Sequence, residues 1–519
     1  MASRFRPSPV PDRPTRSVSA LLAVVLIAAA CNSLTSNPNV PLATPRPTGT
    51  PSGSGPSAAP SEPPPRITWT SCGRGFQCGI LRAPKDYADP SAGVLEVSLI
   101  RRRAGDPERR VGQLLVNPGG PGGSGVDLVR DGTRAFPRAI LQRFDLIGFD
   151  PRGVNSSTAV RCIDNLDPRA QLDPSPDDDA ELDALVDDAR DYAAACAKRN
   201  ANLLPYLSTD AVVDDLERIR RGLGGEKLNY LGFSYGTLIG ALYAERYPAN
   251  IRAFVLDAAV DPALDLVGLR TGQAEAFDEA LERFLADCAK RTECLFHHGS
   301  GTARAFDQLM SRIEREPLPA PRTNDNRKVG PGLAWSAVLG SMYVENGRVA
   351  LEAALALAEG GDGSLLLLLS DPYRGRNPDG TYSNLVDAYT SNICLDYEAP
   401  TEVDEFEAFA EELRSISPRF AGLIAFNDLA CAFWSTPPTR TPAPVTAVGA
   451  PPIVVVGTTG DPATPYEWSV DLAGSLESGV LVTREGEGHT AIGVNNCIRR
   501  AITDYLVELK PPKDGLTCA

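Results

Sequence analysis
An α/β fold with a mostly parallel central sheet and helices on both faces is the class the sequence predicts, on three observations. Short apolar strand-like runs alternate with helical patterns, as a parallel sheet requires when each crossover carries a helix. Residues 453–456 (Ile-Val-Val-Val) form a β-branched run without charges, the signature of a strand covered on both faces. Ser234 stands at the centre of Gly232-Phe233-Ser234-Tyr235-Gly236, directly after the strand-like run 227–231 and directly before a helix-like run that opens at Gly236.

The chain begins with a segment that stands apart from this pattern. Arg4, Arg6, Arg13 and Arg16 precede an apolar stretch over 20–30, and Cys31 follows. A basic segment before a short apolar one reads as a secretory signal, and the apolar part falls short of the roughly 20 residues that span a bilayer. Ala28-Ala29-Ala30-Cys31 resembles a bacterial lipobox with alanine where leucine is usual. Residues 1–31 are therefore expected to be a signal with lipidation at Cys31, ordinary cleavage near Ala30 being the alternative. Residues 32–66, rich in Pro, Ser, Thr and Gly, cannot bury enough surface to fold and read as a tether. The protein is expected to be exported, either held on the outer side of the membrane through its lipid or secreted.

Strands are expected at 94–101, 113–117, 144–149, 228–232, 253–257, 453–456 and 480–483. A helix over 209–223 is signalled by Asp210 near its start and Gly224 past its end. The acidic stretches 177–179 and 183–191 read as a solvated helix face, since Leu182, Leu185, Val186, Ala189 and Ala193 make an apolar stripe at helical spacing. Asp150-Pro151-Arg152-Gly153 is a turn at a strand end, with Asp150 structural. Between Asp261 and about Ala447 the strand pattern stops. Helical periodicity over 277–289, 303–315 and 349–358 then predicts a helical cap inserted before the last two strands. The chain of 519 residues divides into a first part of the core at 67–262, a cap at 263–447 and a C-terminal part of the core at 448–519. That length suits one large core plus an insertion, since single cores rarely grow past about 250–300 residues.

Composition excludes several classes of function. The hydrophobic fraction is 43% and the net charge −15. Nucleic-acid binding needs clustered Lys and Arg, and Arg101 to Arg103 is too short a run to supply it. Of the 11 cysteines, those other than Cys31 are Cys72, Cys78, Cys162, Cys196, Cys288, Cys294, Cys394, Cys431, Cys497 and Cys518. Their even number in an exported chain argues for disulfides, and pairing each with its neighbour is the simplest scheme. No two cysteines have two-residue spacing and histidine is scarce, so neither a zinc site nor any other metal or cofactor is expected.

The pentapeptide around Ser234 is weak evidence by itself: with 46 glycines in 519 residues, a serine finds both flanking glycines by chance about once in 130. A strand before it and a helix after it make it a nucleophile elbow, which pushes the hydroxyl out of a tight turn. A serine hydroxyl needs an adjacent base. The chain has 3 histidines. His297 and His298 follow Cys288 and Cys294 in a helix-rich segment, whereas His489 follows the last apolar strand, where an α/β-hydrolase carries its base. The acid should lie between Ser234 and His489. Asp461, in the loop after the strand at 453–456, is the expected acid, and Asp257, one strand earlier, is its competitor. Residues 117–125, NPGGPGGSG, follow another strand and can aim backbone N–H groups at a developing oxyanion, with the N–H of Tyr235 as second donor. A phosphate-binding loop would need Lys before Ser or Thr, which is absent.

The GGPGG turn, the GFSYGT around Ser234, the GDPATP around Asp461 and the GEGHT around His489 together resemble the proline iminopeptidase and tripeptidyl aminopeptidase family of α/β-hydrolases. The likeness is strongest to secreted actinobacterial tripeptidyl aminopeptidases and mycobacterial cell-envelope serine hydrolases, and runs from about Ile67 to the C-terminus. It implies Ser234 as nucleophile, Asp461 as acid, His489 as base, and Gly119 or Gly120 with Tyr235 as oxyanion donors. Proline iminopeptidases usually carry His before the GGPG glycines. Here that position is Pro118, which favours the tripeptidyl branch. In the family the cap closes over the site and recognises the free N-terminus of the substrate, so a cap carboxylate should pair with the substrate ammonium. Glu345 and Asp396 are the candidates.

The resemblance thus implies an exported serine exopeptidase that releases short peptides, with a peptide or protein as its partner. An envelope esterase or lipase using the same triad is the alternative. A decayed, non-enzymatic binding protein is opposed by the intact Ser234, Asp461 and His489.

Overall fold
The computed structural model describes residues 65–344 and 347–519. The signal segment, Cys31, nearly all of the tether and Glu345 lie outside the described residues.

Among the described residues, ten strands form one sheet: β1 Thr70–Ser71, β2 Phe76–Pro84, β3 Val94–Arg102, β4 Gly112–Asn117, β5 Phe144–Phe149, β6 Leu228–Phe233, β7 Ile251–Asp257, β8 Ile453–Gly460, β9 Gly479–Glu487 and β10 Leu516–Cys518. Their order is β1-β2-β3-β5-β4-β6-β7-β8-β9-β10. From β5 to β10 every pairing is parallel, and β1, β2 and β3 add an antiparallel edge. Each expected strand is present, with the one at 94–101 antiparallel to its neighbours. Three strands escaped the periodicity. In β2 the residues facing inward are Gly79, Leu81 and Ala83, while Ile80 is 48% exposed, so a large apolar side chain on the outward side blurs the alternation. β1 and β10 are too short to show a period.

Strands β4, β6 and β8 are covered on both faces, as their uncharged sequences require. Along β4 and β8, Leu115 and Val455 pack into one core cluster and Leu114, Val116, Val454 and Val456 into another. Helices Asp179–Asn200 and Thr209–Gly222 close the first face through Ala189, Tyr192, Val212, Leu216 and Ile219. Helices Gly125–Asp131 and Asn496–Glu508 close the second through Val126, Val129, Ile498, Ile502 and Tyr505. Thr209–Gly222 starts where Ser208 Oγ accepts the N–H of Ala211, a cap that satisfies one of the helix's free donors. The turn after β5 is structural: Asp150 accepts from Ser124 Oγ at 2.6 Å, Val126 N–H at 3.1 Å and Ser156 N–H at 3.0 Å. Buried Arg152 grips Asp215 at 2.6 and 2.8 Å in a two-point pair.

Between β7 and β8 the described residues form helices, including Leu266–Lys290, Thr302–Arg315, Pro331–Met342, Gly347–Glu359, Ser364–Tyr373, Leu385–Asp396 and Val403–Arg414. The three predicted helical stretches fall inside three of these. All of these helices but Leu385–Asp396 share a core of their own, with Phe277, Phe284, Phe306, Leu333, Leu351 and Phe420. No helix of the described residues is long and apolar enough to cross a membrane. The cysteine sulfurs meet in neighbour order: Cys72 with Cys78, Cys162 with Cys196, Cys288 with Cys294, Cys394 with Cys431 and Cys497 with Cys518.

Candidate active site
Ser234 occupies the turn between β6 and helix Tyr235–Arg246, with φ 53° and ψ −129°. A non-glycine residue tolerates such a φ only where its surroundings hold it. They do so here by close backbone approach. A Cβ on Gly232 would lie 2.4 Å from the Gly236 carbonyl oxygen, and one on Gly236 would lie 2.7 Å from that of Asn117. Both flanking glycines of the pentapeptide are thus required sterically. Ser234 itself is partly exposed and donates its N–H to the carbonyl of Asp257 at 3.0 Å.

Asn117, at the end of β4, lies beside Gly232 in the sheet, which brings the glycine-rich loop against the elbow. Gly119 has φ 86°, and a Cβ there would stand 2.4 Å from Phe233 O and 2.7 Å from Tyr235 N. Its N–H is taken by Asn117 Oδ1 at 2.8 Å. This corrects one expectation: Gly119 shapes the loop and has no N–H to offer an oxyanion. Among the described residues the Gly120 N–H makes no hydrogen bond, and the Tyr235 N–H opens a helix, where donors have no partner within the helix.

His489 lies just beyond β9. Its Nδ1 is 2.9 Å from both Oδ1 and Oδ2 of Asp461, and its side chain is 8% exposed. Asp461 follows β8, and its Oδ1 accepts the N–H groups of Ala463 at 2.9 Å and Thr464 at 3.0 Å. Burial disfavours the charged imidazole, yet the adjoining carboxylate outweighs it and holds the His489 pKa above the ordinary value. Nε2 is buried and has no hydrogen-bond partner among the described residues. It is the nitrogen left to exchange a proton. Asp257, the competing acid, lies at the end of β7, and its carboxylate accepts the N–H groups of Ala491 and Ile492 instead of contacting the ring. The other histidines belong to the cap: His297 meets Cys288 O at 2.9 Å and His298 meets Glu359 at 3.2 Å.

The cap covers this centre. The Tyr343 carbonyl accepts the His489 N–H at 2.8 Å, and the Tyr343 ring stands edge-on to the imidazole with centroids 5.3 Å apart. Helix Leu385–Asp396 rests on the glycine-rich loop so tightly that a Cβ on Gly122 would lie 2.8 Å from Leu385 O. Asp396 corrects a second expectation. It is wholly buried and accepts from Thr209 N–H at 2.9 Å, Thr209 Oγ1 at 2.5 Å and the Tyr235 hydroxyl. Its oxygens are committed to fastening the cap to the elbow helix, with none turned to a substrate ammonium. Thr464 and Tyr343 contribute at the site without having been read from the sequence. The Asp-Pro-Ala-Thr spacing that turns two N–H groups onto Asp461 could have signalled Thr464, while nothing local marks Tyr343.

Fold and site together define a serine hydrolase with an α/β-hydrolase core and a helical cap. Residues 113–331 match the family described as alpha/beta hydrolase fold, and residues 417–518 match the family described as TAP-like protein. The chain is 37% identical to serine protease Hip1 of Mycobacterium tuberculosis, over 87% of this chain and 91% of that one. It is 35% identical to a protein named carboxylesterase B from the same organism, over 92% and 95%, and 31% identical to the tripeptidyl aminopeptidase of Streptomyces lividans, over 87% and 86%. The chain belongs to this TAP-like family of α/β-hydrolases.

Proposed function
We propose that the protein is an exported serine exopeptidase that releases short peptides, tripeptides above all, from free N-termini. Ser234 attacks the scissile carbonyl, His489 takes the hydroxyl proton at Nε2 and returns it to the leaving amine, and Asp461 holds the ring through Nδ1. The N–H groups of Gly120 and Tyr235 receive the oxyanion. Water then hydrolyses the acyl-enzyme by the same proton transfers in reverse. The observation that carries this reading is the imidazole held by Asp461 at 2.9 Å with a buried, unpartnered Nε2. The names of the relatives in Mycobacterium and Streptomyces support peptide substrates.

Glu345 remains the proposed partner of the substrate ammonium. It follows Tyr343 by two residues in the sequence, and Tyr343 packs on His489. Export through the N-terminal signal, lipid attachment at Cys31 and disulfide bonding in neighbour order complete the proposal. The first two rest on the sequence pattern, the last on the even cysteine number and the meeting of the sulfurs.

A fluorophosphonate probe should label the wild type and fail to label Ser234→Ala, and retained labelling would remove Ser234 from its role. The relative named carboxylesterase B favours a second reading, an envelope esterase with the same triad. Chromogenic tripeptide, single-proline and acyl-ester substrates separate the two; ester turnover without peptidase activity would sink the exopeptidase reading.

A further inference from the structure
We propose that Asp257 is a positioning residue for catalysis, tying the nucleophile turn to the base loop through its carbonyl on one side and its carboxylate on the other, and adding a second negative charge near the imidazole. This inference rests on the triad proposed above.

Asp257 closes β7 between the two strands that carry the site, opposite Phe233 of β6 and Val456 of β8. Its carbonyl accepts the Ser234 N–H at 3.0 Å. Its carboxylate takes the Ala491 N–H at 3.0 and 3.1 Å and the Ile492 N–H at 2.9 Å. Between His489 and Ala491 stands Thr490, with φ 69°, a left-handed backbone that a β-branched residue adopts only under constraint. The two charge-assisted hydrogen bonds, from the two residues that follow Thr490, supply that constraint. A single residue therefore sets the spacing between the Ser234 turn and the His489 loop.

Geometry alone would be served by a neutral acceptor, yet a carboxyl group stands here. Asp257 is wholly buried, and no Lys or Arg pairs with it among the described residues. A buried carboxylate without a cation is costly, and burial pushes this carboxyl up to about 6. The charged and titratable groups around it are His489 on the following loop and Asp461 after β8, with Tyr343 facing the imidazole from the cap. Both carboxylates favour the charged imidazole. When His489 takes the serine proton, the imidazolium forms between Asp461, which it touches, and Asp257, which it senses through space.

Asp257→Asn keeps size and one acceptor oxygen while removing the charge. The fluorophosphonate labelling rate of this variant should fall about tenfold or more, and its acid limb against pH should move down by roughly half a unit or more. Asp257→Glu keeps the charge but displaces the carboxylate, so it should label slowly with a limb close to wild type. A folded Asp257→Asn with wild-type rate and limb would overturn the proposal, as would a slowed one with an unmoved limb, which a purely structural role predicts. If Asp257→Asn does not fold, Asp257→Glu keeps the positioning claim falsifiable: slow labelling supports it, and a wild-type rate overturns it. Labelling that persists in Ser234→Ala would mark failure of the triad itself, a result distinct from any of these.

Discussion

At Nδ1, His489 meets both oxygens of Asp461 at 2.9 Å, and this contact sets the pH range in which the site can work. A general base must be neutral, so the rate falls as pH drops through its pKa. That pKa is raised by the neighbouring carboxylates against the opposing effect of burial. The midpoint of the acid limb of kcat/KM is therefore expected above the ordinary imidazole value of about 6.5. In Asp461→Asn the raising charge is lost and the tautomer is no longer held. The midpoint should fall and kcat should drop by about 10³ to 10⁴, both readable from one pH–rate series. Glu345 makes a different kind of residue-scale prediction. Glu345→Gln should raise KM for tripeptide substrates with a free N-terminus by about tenfold or more, and leave an acyl ester nearly unaffected. Equal changes for both substrates would remove it from ammonium recognition.

Among the elements, the cap helices act on the base loop as well as roofing it. Arg283 of helix Leu266–Lys290 and Arg348 of helix Gly347–Glu359 converge on Glu487, the last residue of β9, at 2.8 and 2.7 Å. His489, the proposed base, stands two residues further on, and its N–H is held by the cap residue Tyr343. All three charged side chains are partly exposed, at 38%, 15% and 28%, so solvent screens the cluster and its contribution to stability is about 1 kcal/mol or less. Its effect on activity should be larger, because it fixes the strand end that carries His489. Glu487→Gln is expected to lower kcat/KM several-fold at low salt while changing Tm little. Wild-type activity should also decline with added NaCl more steeply than that of the variant, since only the wild type has this cluster to screen. Equal salt curves would dissociate the cluster from the site.

On the scale of the whole molecule, a core on the sheet and a core in the cap are each accompanied by cysteine pairs. Cys394, on the cap helix that rests on the glycine-rich loop, pairs with Cys431 across 37 residues of sequence. In the chain-entropy account, closing a loop of that length stabilises by about 4 kcal/mol. Cys72 with Cys78 and Cys288 with Cys294 each span 6 residues and should contribute less. Reduction under native conditions should lower Tm, and among pairwise Cys→Ser variants the one lacking Cys394 and Cys431 should lose more Tm and activity than either short-loop variant. Unchanged melting after reduction would show that the paired sulfurs are not bonded.

Much of the architecture was legible because its cause is local. The uncharged runs in β4, β6 and β8 announce themselves as strands covered on both faces, since a charge would have no place in them. The glycines around Ser234 mark a turn with no room for a Cβ, and three histidines leave little choice of base. Chain order admitted both Asp461 and Asp257, and the loop after the uncharged run 453–456 favoured Asp461. Other features depended on which distant residues meet. Gly119 and Gly120 differ in use because Asn117 captures one N–H, Asp396 is withdrawn from substrate by Thr209 and Tyr235, and Tyr343 reaches His489 from the cap. Periodicity and local motifs report the backbone and which side chains avoid water. Which donor is spent and which carboxylate is buried depends on residues far apart in sequence, and only the folded chain brings those together.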